Sequence, residues 1–151
     1  LTKVIKFIFN MILCNYEKTE GKVMSDKKQR IAHLNSTVCY LKMDNKVLMI
    51  KFSYYKETGL TLINPKLQGI SYWKDSVEGI IFVYTAEDFK GDLTVSEEGT
   101  LEWIRLEDLQ NITQFDQNQK FTPYLFKDSI FEGKFLLDDK CKVLDYKIRN
   151  M

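Results

Sequence analysis

The chain has 151 residues, enough for one domain with a real core and too few for two ordinary ones. Its 44% hydrophobic and 28% charged residues make a soluble globular composition and exclude a disordered chain. With 22 basic against 21 acidic residues the net charge is +1; no basic excess points to a nucleic acid polymer, whereas a small charged substrate needs only a local field.

The first apolar run, residues 4–14, has the length of a signal-peptide core. It is too short to cross a bilayer, which takes about 20 apolar residues, and no small-x-small cleavage site follows it. Met24-Ser25-Asp26-Lys27-Lys28 reads as an ordinary cytoplasmic N-terminus, and Glu20-Gly21-Lys22 just upstream is compatible with a purine-rich ribosome-binding sequence. The expectation is a non-domain extension over 1–23, translated from upstream DNA, and a single domain over 24–151, cytoplasmic and away from any membrane. Cys14, Cys39 and Cys141 are odd in number and far apart, which suits idle thiols in a reducing compartment. His33 is the only histidine, so a His-rich metal site is excluded, and no serine stands in a G-x-S-x-G turn.

Residues 37–43 and 46–52 are rich in strand formers and flank Asp44-Asn45, two residues that tolerate left-handed backbone, so they predict a hairpin. Residues 54–58 followed by Gly59 read as the last turn of a helix with its C-terminal glycine. Strands are expected over 60–63 and 67–73, broken by Asn64-Pro65, then over 79–86 and 101–106, with Trp103 facing inward. Acidic residues open a short helix over 107–110, and Pro123 marks a helix start within 121–126. A hairpin over Asp138-Asp139 joins 130–137 to 141–148. The aromatic pairs Tyr72-Trp73 and Phe82-Tyr84 read as core and edge packing. Strands outnumber helices, so the fold class is α/β in the broad sense, an α+β mixed sheet with a few packed helices.

Several segments, in order along the chain, resemble the Nudix hydrolases, whose pattern is G-x5-E-x7-R-E-U-x-E-E-x-G-U with U aliphatic. Glu57-Thr58-Gly59-Leu60 matches the tail of that pattern, behind a hairpin like the one that precedes it in MutT-type enzymes. Leu62-Ile63-Asn64-Pro65-Lys66-Leu67, Glu98-Gly99-Thr100-Leu101-Glu102-Trp103, Phe131-Glu132-Gly133-Lys134-Phe135 and Val143-Leu144-Asp145-Tyr146 are similar to the 8-oxo-dGTP diphosphatase branch. The resemblance implies an α/β/α sandwich and Mg²⁺- or Mn²⁺-dependent hydrolysis of a nucleoside triphosphate such as 8-oxo-dGTP. Glu57 and Glu98 would be the catalytic and metal-binding carboxylates, with Glu97 able to stand in for its neighbour. Phe115, Gln117 and Asn118 would bind the substrate, Phe115 by stacking and Asn118 at the purine edge.

The chain departs from the pattern upstream of Glu57. Lys56 occupies the place of the first paired glutamate, Phe52 and Ser53 stand at the R-E positions, and the G-x5-E is absent. An internal deletion of the substrate loop and most of the catalytic helix accounts for this. Glutamates three and four apart on a helix share a face and make a ligand cluster for a hard cation; with one left, hydrolysis is expected to be impaired or absent. Two alternatives stay open: a non-catalytic nucleotide-binding remnant or decayed gene product, and a protein whose open sheet edge, left by the deletion, pairs with another chain. The oligomeric state is not legible.

Overall fold

The computed structural model describes residues 33–51, 58–93, 103–112 and 114–151. Among these residues nine strands form two sheets: β1 (His33–Met43), β2 (Lys46–Lys51), β3 (Thr61–Ile63), β4 (Lys66–Lys74), β5 (Glu78–Ala86), β6 (Asp88–Lys90), β7 (Ile104–Arg105), β8 (Phe131–Leu137) and β9 (Val143–Asn150). The larger sheet has seven strands in the order β7-β2-β1-β5-β4-β8-β9, and β3 pairs with β6 in the smaller one. The pairings β1–β5 and β4–β8 are parallel and the rest are antiparallel, so the sheet is mixed.

The expected hairpin is present, its turn set by Asp44 at φ 53°. Asn64, at φ 48°, makes the break between β3 and β4. The closing hairpin folds over Asp138, whose carboxylate accepts from the backbone N–H of Lys140 at 2.9 Å and of Lys142 at 2.8 Å. Thr58 is helical and Gly59 follows at φ 73°, as a C-terminal glycine should; residues 54–57 lie outside the described set. The reading 101–106 contracts to β7, with 101–102 outside the described residues, and the helix expected over 107–110 is a 3₁₀ turn at Leu106–Asp108.

The helix expected to begin at 121 instead begins earlier. Helix α1 runs Asp116–Phe121, and the Pro123 segment is a 3₁₀ turn, Thr122–Tyr124, that continues it. Pro123 sits at the start of that turn because it has no N–H to lose there, so proline marked the second of two abutting helical pieces.

Alternate residues of β1 and β2 divide the core between the two sheet faces. Val38, Tyr40 and Val47 join Trp73, Ile81, Val83, Phe121, Phe131 and Phe135 under α1. Cys39, Leu41 and Leu48 join Leu60 and Ala86 on the other face, where Leu62, Phe89 and Trp103 close over them. Trp103 thus faces inward as expected, tilted against Phe89 at 6.1 Å between ring centroids. At the β4 bulge between Leu67 and Gly69, a Cβ on Gly69 would fall 2.2 Å from the Phe131 ring, so only glycine lets β4 and β8 meet there. No helix among the described residues is long and apolar enough to cross a membrane.

Candidate functional site

Helix α1 lays Phe121 on the sheet, edge-on to Tyr40 at 6.3 Å and stacked on Phe131 at 5.4 Å between centroids. These contacts fix the rotation of the helix. That rotation carries two amides inward: Gln117 is 1% exposed and Asn118 is 0% exposed. Gln117 donates its Nε2 to the Ser71 hydroxyl on β4 at 2.7 Å, and its Oε1 has no partner among the described residues. Asn118 finds no partner among the described residues for either Nδ2 or Oδ1, although its backbone carbonyl accepts from Thr122 Oγ1 at 2.7 Å.

More unpaired polar atoms are buried on the same sheet face. Among the described residues the Tyr40 hydroxyl and Trp73 Nε1 both lack partners, as does Gln114 Oε1 at the approach to α1. A buried donor or acceptor left unpaired costs about 1–3 kcal/mol, so native folds hold few of them. Those found here gather beneath one short helix.

The site is also uncharged. Burial drives the Tyr40 phenol well above its usual range, with the neighbouring Cys39 adding to the shift. The Cys39 thiol, on the opposite face, is pushed up to about 12 by burial. Charge begins only at the rim. There Asp116 pairs with Lys142 at 3.1 Å and ties α1 to the β8–β9 turn, while Lys120 Nζ stands 5.4 Å over the Tyr146 ring.

The turn that follows α1 is held by one side chain. Gln68, the residue at the β4 bulge, donates its Nε2 to the carbonyls of Lys127 and Ser129 at 3.0 Å and of Tyr124 at 3.4 Å. Its Oε1 accepts from Thr85 Oγ1 at 3.4 Å.

Of the residues singled out from sequence, Gln117 and Asn118 come together at this site. Phe115 stands at the N-cap of α1, half-buried, with its ring packed against the core cluster. Glu57 and Glu98, the expected metal and catalytic carboxylates, lie outside the described residues. Among the described residues no cluster of three His, Cys, Asp or Glu could hold a metal ion. The sequence reading missed Ser71, Tyr40, Trp73 and Gln114. A serine between Ile70 and Tyr72 on a buried strand was the available signal, since alternation puts its hydroxyl on the face that a neighbouring helix must satisfy.

No family model matches the chain. A curated relative, an uncharacterized Nudix hydrolase called YvcI from Bacillus subtilis (strain 168), is 28% identical over 103 residues. That match covers 63% of this chain and spans 65% of the relative's length. Among solved structures, the mutator MutT protein from Bacillus halodurans superposes with a TM-score of 0.69 at 22% identity, over 76% of this chain and 96% of that one. The E. coli ORF135 protein superposes with a TM-score of 0.55 at 12% identity, over 62% of this chain and 89% of that one.

Proposed function

We propose that the chain is a member of the Nudix hydrolase superfamily, whose MutT-type fold it shares, and that it binds a nucleoside triphosphate of the 8-oxo-dGTP kind, with the purine against Gln117 and Asn118. The observation that supports this reading is the fully buried Asn118 amide, both of whose polar atoms lack a partner among the described residues. An amide offers two donors and one acceptor, which matches the mixed edge of an oxidised guanine. Phe115, at the head of the same helix, is the residue to stack on the base.

Hydrolysis in this reading is slow or absent. Glu57 and Glu98 would supply the oxygen donors that Mg²⁺ or Mn²⁺ takes, and the ion would stabilise charge on the phosphates and acidify a water. Lys56 stands beside Glu57 where the pattern has a glutamate, and it opposes the cation by like charge. This favours the second reading, a nucleotide-binding protein without turnover.

Titration calorimetry with 8-oxo-dGTP and dGTP, followed by a pyrophosphate-release assay in Mg²⁺, tests both. Binding with measurable release supports the enzyme, and binding with release at background supports the second reading. Absence of binding to either nucleotide overturns both.

A further inference from the structure

Strand β9 is one end of the seven-stranded sheet, and the other end, β7, is only two residues long. An open edge of eight residues presents unpaired backbone groups that another strand can take. Which groups face outward follows from the ladder. Met151 N–H donates to the Ile130 carbonyl at 2.8 Å, one step beyond the Phe131–Asn150 pair. Antiparallel residues alternate between bonding inward and outward. Arg149, Lys147 and Asp145 therefore turn their amides to β8, and Asn150, Ile148 and Tyr146 turn theirs away. The Tyr146 N–H confirms the phase, because it is taken by the Asp145 carboxylate at 2.8 Å.

We propose that β9 docks a second copy of this chain, strand to strand and antiparallel, about a two-fold axis through Tyr146. In this register the outward Tyr146 N–H and C=O of each copy meet those of the other. Asp145 then lies opposite Lys147 of the second copy, and Leu144 opposite its Ile148. Leu144 is 63% exposed and Tyr146 48% exposed, so both have surface to lose.

Charge selects the register and the partner. On the outer face Arg149 and Lys134 both reach Glu132, the Arg149 Nε at 2.5 Å and the Lys134 Nζ at 3.8 Å. Lys147 lines a shallow groove with these three and has no anion of its own among the described residues. The Tyr146-centred register gives it one, twice over by symmetry. Sliding by two residues puts Lys147 against Lys147 in one direction and Asp145 against Asp145 in the other, and opposed like charges destabilise a strand pair. In the single copy Asp145 caps the outward donor on the axis; on pairing it releases that N–H to the second copy's carbonyl and meets Lys147.

The test is the mass in solution of the whole chain, by light scattering and sedimentation equilibrium, with Lys147→Asp and the swap Asp145→Lys with Lys147→Asp. The expected results are a wild-type dimer, a dissociation constant raised about tenfold or more for the single variant, and recovery in the swap. Hydrogen exchange is the second measurement, with the Tyr146 and Ile148 amides gaining protection as concentration rises. A wild-type monomer overturns the proposal, as does an undiminished dimer in Lys147→Asp or failure of the swap to restore it. A monomer that takes an unrelated extended peptide on β9 also counts against it.

Discussion

The Gln117 amide donates to the Ser71 hydroxyl across 2.7 Å, joining helix α1 to strand β4 inside the core. The partners are 46 positions apart in sequence, and both are buried. Ser71→Ala removes the acceptor and leaves a buried N–H₂ unpaired, at a cost of about 1–3 kcal/mol. In urea the midpoint should fall with an unchanged slope. Adding Gln117→Leu should recover part of the loss, because replacing both partners by apolar groups is close to neutral. Additive losses in the double variant would remove the pair from the core's accounting.

Asn118→Leu separates binding from stability. If the buried amide serves a ligand, the free protein carries its desolvation cost, and a leucine of similar volume should stabilise the fold by about 1 kcal/mol. The same variant should weaken 8-oxo-dGTP binding about tenfold or more. Thermal melting and calorimetry read the two effects, and a loss of stability with unchanged affinity would make Asn118 a structural residue.

Gln68→Ala should unfasten the turn after α1. Three carbonyls lose their shared donor, so a loss of about 1–3 kcal/mol is expected. Hydrogen exchange should rise first in residues 124–129, ahead of the strands. Uniform exchange across the domain would deny Gln68 a local role.

Alkaline pH should destabilise the fold through the buried Cys39 thiol. The Cys39 thiol is pushed up to about 12 in the fold from 9.0 in the unfolded chain. Below pH 9 both states hold the proton and the contribution is constant. Between 9 and 12 only the unfolded chain releases it, so stability falls as pH rises. Cys39→Ala should lessen that fall, leaving above pH 10 the part that the buried Tyr40 phenol contributes with the same sign. The native thiol should also resist alkylation at pH 8, and rapid labelling under native conditions would contradict its burial.

Local chemistry made much of this fold legible. Asp44 and Asn64 sit at the left-handed turn positions their side chains tolerate, and Asp138 organises its turn with its own carboxylate. Helix α1 was displaced in the reading because Phe115 caps it with no side-chain hydrogen bond, so no start signal precedes Asp116. Strand β6 has three residues and exists through its pairing with β3, which no local pattern announces. The site was half legible. Gln117 and Asn118 could be named from the family pattern, but Ser71 meets Gln117, and Tyr40 and Trp73 share the core cluster under α1, only through the register of strands distant in sequence.

The two parallel pairings have a consequence for how the chain is made. Val38 pairs with Val83, and Gly69 with Phe131, so neither contact can form by zipping outward from a hairpin. Long-range closure of this kind slows folding. During synthesis β4 emerges with Trp73 ready for burial and must wait for β8 before Phe131 and Phe135 complete its side of the core. For that interval an apolar strand is uncovered in the growing chain, and a nascent chain in that state is open to aggregation. The yield of folded protein should therefore rise when translation is slowed by cold or when a chaperone shields the ribosome-bound intermediate.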